Sequence, residues 1–367
     1  MFDGFKAQDV DLPTGRVHYC VGGTGDAVLL LHGFPQTHAM WGYIAPILAQ
    51  GYRVICPDLR GYGASHKPVD VEDYSFREMA SDPIALMDHL GIDRFHVVGH
   101  DRGGRTAHRM ALDIPQRIKS ITVMDIVPTH LLLNDLTADV ARAYYHWFFL
   151  AQPAPLPETM IGADPVAYYK SCLMGWGAAN EDQFDRAQMQ AYEAAWRDPD
   201  CVRGMCNDYR AALTHDFELD AGDLHRCLSM PACVMWGRDG IMERAFDVPS
   251  TWSDRFSNIT AHGMLGGHFF PNEYPEQTVQ IPCIQFKIMG KGRTIIVAHP
   301  TDTVGITPCG FIGLYLCAIK LILIRGTPPH QTGFVIGNWI SANHCFRQWR
   351  GLGQKKPMVI GTRHIRG

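Results

Sequence analysis

One short string limits the fold more than any other stretch of the chain. VVGHDRGGR, Val97–Arg105, sets an apolar run directly before a glycine-bounded turn and a helix-forming segment. An apolar run without alternation predicts a strand covered on both faces, as in a parallel sheet. Gly99, Gly103 and Gly104 let the backbone pass close to its neighbours, so the turn can be sharp and hold its central side chain above the sheet. That side chain is Asp101, where such an elbow commonly carries serine. Taken alone, an aspartate here reads first as a helix cap.

The flanking sequence repeats the strand-then-loop pattern. AVLLLH (27–32), YRVICPD (52–58), RFHVVGHD (94–101) and SITVMDIV (120–127) are strand candidates, and SFREMASDPIALMDHLG (75–91) has helical spacing and stops at Gly91. PACVMWGRDG (231–240) and NITAHGMLGGH (258–268) resume the pattern. This alternation predicts an α/β protein with a mainly parallel central sheet. Between Val127 and Leu224 the strands stop and aromatic residues cluster in AYYHWFFL, YYKSCLMGW and AYEAAWRD. We therefore expect a core from 1–126 and 225–280, with a helical cap over 127–224 above the strands' C-terminal edge. Open α/β sheets bind ligands at that edge.

Charge divides the chain again. Residues 1–280 hold 22 Lys+Arg against 36 Asp+Glu, a balance of −14, while 281–367 hold 11 against the single acid Asp302, a balance of +10. Pro282 cuts short the last helix, and the apolar run 311–324 contains Lys320 and is short for a membrane span. Three accounts fit this basic tail of unclear structure: a true extension binding a membrane surface or an acidic partner, a fused small domain, or an out-of-frame translation in place of a final helix of about 15–20 residues. The third is favoured, because acids and periodicity vanish together within one helix.

The formal net charge of −4 predicts no nucleic-acid partner, and no membrane partner is expected for the core. The first residues have neither the basic start nor the apolar run of a secretory signal, so a cytoplasmic protein is expected. Eleven cysteines without paired spacing read as buried thiols, Cys201 with Cys206 being the nearest to a ligand pair. The histidines show no metal spacing, and no GxSxG, HExxH or Walker-type loop occurs. No metal or cofactor is expected.

LLLHGFPQTHAMW, DLRGYGAS, GHDRGG and GGHFFP follow one another at the spacings of the α/β-hydrolase fold. With GHDRGGR, MDIVPT and YYHWFFL added, residues 5–275 resemble the haloacetate (fluoroacetate) dehalogenases. The resemblance implies that Asp101 displaces halide from an sp³ carbon and forms an alkyl ester. His268, in GGHFFP, would activate water to hydrolyse that ester, and an acid would orient the imidazole. Asp125 and Asp239 both end strands and compete for that role. The longer match around MDIVPT favours Asp125, leaving Asp239 as a turn residue beside Gly240.

The amides of Phe34 and Arg102 would hold the oxyanion. The resemblance makes Arg102 and Arg105, three apart on one helical face, a clamp for the substrate carboxylate. It makes His146, Trp147 and Tyr209 donors to the departing halide, residues whose plainer reading is cap packing. His32, His38, His100 and His262 lie in or near these loops and read as structural. The substrate is then a small haloacid, and a homodimer is left open. An epoxide hydrolase would use the same Asp and His with Tyr144, Tyr145 or Tyr209 as proton donor, though a neutral epoxide has no use for Arg102. A hydrolase-like scaffold without activity, serving as a binding protein, is the remaining alternative.

Overall fold

A computed structural model describes residues 2–175 and 181–280. The basic segment 281–367, with its expected frame-shifted origin, lies outside the described residues.

Eight strands form one sheet: β1 (Lys6–Leu12), β2 (Gly15–Gly22), β3 (Asp26–Leu31), β4 (Tyr52–Pro57), β5 (Phe95–His100), β6 (Ile118–Met124), β7 (Ala232–Gly237) and β8 (Ile259–Met264). Their spatial order is β1-β2-β4-β3-β5-β6-β7-β8. β2 pairs antiparallel with β1 and β4, and every other neighbouring pair is parallel. The chain forms its parallel strands where the sequence places apolar runs. β5 shows why: all six of its residues are buried, since β3 and β6 flank it and helices cover both faces. The β1–β2 hairpin was not among the expected strands. β1 is an edge strand whose Gln8, Asp9 and Asp11 face solvent, so it lacks the apolar run that marks the others.

Short α1 (Ala45–Leu48) precedes β4, α2 (Phe76–His89) leads to β5, and α3 (Arg102–Asp113) leaves it. The elbow between β5 and α3 is closed by missing side chains. A Cβ on Gly99 would lie 2.2 Å from the Gly103 carbonyl oxygen, and one on Gly103 would lie 2.3 Å from that of Leu31.

From β6 to β7 the described residues are helical: α4 (Thr129–Asn134), α5 (Ala138–Ala143), α6 (Tyr145–Leu150), α7 (Leu156–Gly162), α8 (Pro165–Gly175), α9 (Arg186–Trp196), α10 (Pro199–Ala211) and α11 (Phe217–Gly222). α9 grips the loop after β3. Trp196 donates from Nε1 to the Pro35 carbonyl (2.6 Å), Gln188 donates to that of Ala39 (3.0 Å), and Gln36 donates to the Tyr192 hydroxyl (3.1 Å). These buried bonds tie the cap to the loop that carries Phe34. Beyond β7 come α12 (Ile241–Ala245) and α13 (Val248–Ser253), then α14 (Phe270–Glu273) and α15 (Pro275–Gln280) after β8.

Cys20, Cys56, Cys172, Cys201 and Cys206 are buried free thiols. Cys227 is exposed and Cys233 is disulfide-bonded, so the expectation of buried thiols throughout fails at these two. Among the described residues, no helix is long and apolar enough to cross a membrane.

Candidate active site

Asp101 stands at the start of α3 with φ 49°, and Asp125 follows β6 with φ 53°. Both lie in the left-handed region, which costs a non-glycine residue roughly 1–3 kcal/mol and persists only where the surroundings enforce it. For Asp101 the enforcement is the elbow. For Asp125 it is a backbone bond from its amide to the Met235 carbonyl (2.7 Å).

The Phe34 amide donates to Asp101 Oδ1 at 2.9 Å. The other oxygen, Oδ2, lies 4.0 Å from His268 Nε2. On the far side of that ring, Nδ1 is 2.6 Å from Asp125 Oδ2, while Asp125 Oδ1 accepts from the Gly237 amide (2.8 Å). Nδ1 therefore carries the proton toward Asp125, and Nε2 faces Asp101. Asp239 is exposed, and its amide donates to the Gly266 carbonyl (3.0 Å). Of the two competing acids, the fold brings Asp125 to His268.

Burial acts against charge on Asp101, but His268, His100, Arg102 and the Phe34 amide outweigh it and hold the carboxyl below its ordinary range. Burial likewise acts against charge on His268, yet the hydrogen bond and negative charge of Asp125, with Asp101 behind, raise its pKa. The site thus keeps an ionised Asp101 carboxylate beside an imidazole with enhanced basicity.

Both arginines are buried, and their surroundings differ. Arg102 donates from Nε to Asp208 Oδ2 (2.9 Å) and from Nη2 to Asp208 Oδ1 and to its carbonyl oxygen (2.9 Å). Its guanidinium lies 4.3 Å from the Tyr209 ring centre, 4.6 Å from Phe76 and 4.9 Å from Trp147. Arg105 donates from Nη1 to the Val127 carbonyl (3.0 Å) and to Thr129 Oγ1 (3.1 Å), 4.8 Å from the Trp147 ring centre. Burial and the charge of Arg102 lower its pKa to about 10, so it stays cationic near neutral pH. Arg102 is neutralised by a carboxylate, whereas the acceptors of Arg105 among the described residues are a carbonyl and a hydroxyl. Arg102 Nη1 and Arg105 Nε are buried donors with no partner among the described residues.

The aromatic residues close the other side. The His146 ring stacks on Phe34 at 5.7 Å and 7°, and Tyr209 meets both His146 and Trp147 edge-on at 5.4 and 5.3 Å. Trp147 Nε1 and Tyr209 Oη are buried without a hydrogen-bond partner among the described residues. Burial drives the His146 pKa well below its ordinary value, although Asp101 acts against the shift, so the ring is neutral and one nitrogen carries a proton it can donate. Asp101 helps burial to raise the pKa of Tyr209 and of Tyr144, leaving both phenols protonated. Tyr145 is largely exposed.

His32 accepts from the Leu59 amide (2.9 Å) and lies 3.1 Å from the Gly33 carbonyl, while His100 lies 2.8 Å from the His268 carbonyl. Burial depresses both, to about 4 and about 3. Both rings are neutral near neutral pH. Asp208 and Tyr62, which donates to Asp208 at 2.7 Å, went unnoticed in the sequence. Asp208 sits inside the NDYRA string beside Tyr209, but no local pattern reveals an acid whose partner is 106 positions away.

Comparison with known proteins finds the same fold and related enzymes. Residues 26–271 match the family model described as alpha/beta hydrolase fold. A fluoroacetate dehalogenase from Burkholderia sp is 51% identical over 284 residues, 77% of this chain and 93% of that protein. A soluble epoxide hydrolase from Corynebacterium sp. (strain C12) is 30% identical over 264 residues, 71% of this chain and 90% of that protein. Among solved structures, an alpha/beta hydrolase from Nostoc sp PCC 7120 superposes with TM-score 0.75 and 44% identity, covering 76% of this chain and 97% of that one.

Proposed function

This chain belongs to the α/β-hydrolase superfamily and, within it, to the haloacetate dehalogenases, and from that premise we propose that it converts fluoroacetate or chloroacetate to glycolate and halide through an ester on Asp101. One observation carries the reading: the two oxygens of Asp101 are differentiated, Oδ1 bound by the Phe34 amide and Oδ2 turned toward His268.

Oδ2 attacks the substrate α-carbon from the side opposite the halogen. The new C–O bond forms as the carbon–halogen bond breaks, and the halide leaves with the bonding pair. A carboxylate suits this displacement because it is anionic at neutral pH and its esters can be hydrolysed. The substrate's own carboxylate is repelled by Asp101, and Arg105, which no carboxylate hydrogen-bonds among the described residues, offsets that repulsion. Arg102 supplies Nη1 as a further donor while Asp208 holds its plane. The Trp147 and Tyr209 donors, with the neutral His146, receive the negative charge developing on the halogen.

His268 then takes a proton from water through Nε2, and the hydroxide adds to Cγ of Asp101. Charge collects on Oδ1, where the Phe34 amide already points, with the Arg102 amide at the N-terminus of α3 as second donor. Collapse expels the glycolate oxygen, which takes the proton from His268. Haloacetate and water become glycolate, halide and one proton, and neither step draws on a metal or organic cofactor. The reading takes a small haloacid as partner and no nucleic acid, supported by the balance of −14 over 1–280. It assigns the reaction to the cytoplasm, and sedimentation would decide whether the chain dimerises.

The test is halide release from fluoroacetate and chloroacetate by wild type, Asp101→Asn and His268→Gln. Wild type is expected to turn over both substrates. The Asp101 variant should release nothing in its first turnover. His268→Gln should release one halide per chain and gain the mass of one carboxymethyl group, which trypsin maps to the peptide holding Asp101. Turnover of an epoxide with no halide from folded protein would instead favour an epoxide hydrolase, for which the buried Tyr144 and Tyr209 are suitable donors. Inactivity of folded protein toward both would leave the binding-protein alternative.

A further inference from the structure

We propose that His18, Cys20 and His38 form a mononuclear site for zinc or a similar thiophilic ion, built from residues outside the catalytic set. His18 and Cys20 lie two apart on β2 and so share a face of the strand. His38 follows the loop after β3. One ligand atom from each of the three residues lies within 4.8 Å of the other two. A tetrahedral zinc ion with bonds of about 2.0–2.1 Å to nitrogen and about 2.3 Å to sulfur sets its ligands about 3.3–3.6 Å apart. Side-chain rotation of roughly an ångström closes the site.

The surrounding carboxylates favour a metal ligand set. His18 Nδ1 lies 2.9 Å from Asp9 Oδ1, its direct cross-strand neighbour, and His38 Nδ1 lies 2.7 Å from Asp58 Oδ1. A carboxylate on one ring nitrogen orients each ring to present the other to a metal, the usual outer arrangement of metal-binding histidines. Two independent histidines carry it here. At His38, whose pKa Asp58 and Cys20 raise to about 10 against burial, the ion displaces a proton on binding. Two imidazoles and a thiolate select zinc or copper over magnesium or calcium, with water completing the coordination. Cys20 is a free, buried thiol, while the side chains of His18 and His38 keep 19% and 16% of their surface exposed, which gives an ion a path in. The bound ion would fasten β2 to the end of the loop that carries Phe34.

The experiment uses the full chain, reduced and stripped with chelator. Cobalt titration of wild type should produce a thiolate-to-cobalt charge-transfer band in the near ultraviolet that zinc abolishes. The part of this band owed to the site should be missing in Cys20→Ser, and zinc should raise the Tm of wild type more than that of the variant. Asp9→Asn should weaken zinc binding about 10–100-fold. Metal-free Cys20→Ser should dehalogenate as wild type does, which verifies its fold. Identical cobalt bands and zinc-induced Tm shifts in wild type and Cys20→Ser would overturn the site, as would the absence of zinc binding to wild type.

Discussion

Trp147 and Arg102 illustrate how much a single residue's meaning depends on its surroundings. The indole nitrogen of Trp147 is buried without a hydrogen-bond partner among the described residues, an arrangement that ordinary cap packing avoids. Trp147→Phe keeps most of the ring and removes the donor. Loss of one such donor costs about 10²–10³-fold in kcat. That loss is expected for fluoroacetate, whose strong bond needs every donor, and about tenfold or less for chloroacetate, whose halide leaves more readily. Equal losses on both substrates, measured as halide release, would place Trp147 outside the halide pocket. At this scale, motif matches made Asp101, His268, Arg102 and Arg105 legible in the sequence. Asp208 was illegible, because its role is pairing with Arg102 and pairing across such a separation leaves no local trace.

The β5–α3 elbow is the element on which the site depends. Its glycines were readable because close backbone approach excludes a side chain, and a string such as GHDRGG has few other physical explanations. Gly103→Ala would press a methyl group against the carbonyl oxygens of Leu31 and His32, at 2.3 and 2.4 Å. Neither atom is the end of a flexible side chain, so a strand or α3 must move. Destabilisation of at least about 1–3 kcal/mol is expected, with Asp101 displaced and the first halide burst slowed. Gly222→Ala, with nothing within 4 Å of the added carbon, should change stability by less than about 1 kcal/mol. Urea midpoints of the two variants test the contrast. The β1–β2 hairpin escaped sequence reading for the opposite reason: its outer strand is polar and exposed, so nothing marks it as sheet.

Across the whole molecule, Phe34, Asp101, Asp125 and His268 come together from the loop after β3, the elbow, the end of β6 and the turn after β8, while α6 and α10 bring His146, Trp147, Asp208 and Tyr209. Its pH response follows from that assembly. His268 works as a base only when neutral, and Asp125 raises its pKa, so ester hydrolysis should fail on the acid side below a value higher than the ordinary 6.5 would give. The drop should be about tenfold per pH unit. In the ester intermediate Asp101 has lost its charge, so this limb should lie below the titration of His268 in the free enzyme. Asp101 is held below its ordinary range, so the halide burst should persist where hydrolysis has slowed. Stopped-flow halide release across pH separates the two steps, and Asp125→Asn should cut hydrolysis by about 10⁴-fold. By itself the sequence determined the strand run, the elbow and the carboxylate at its turn, because periodicity and glycine sterics are local properties. Only the tertiary structure decided between Asp125 and Asp239, neutralised Arg102 but not Arg105, and brought His18, Cys20 and His38 together. Each of these is a distance between segments remote in the chain, fixed by strand order and packing.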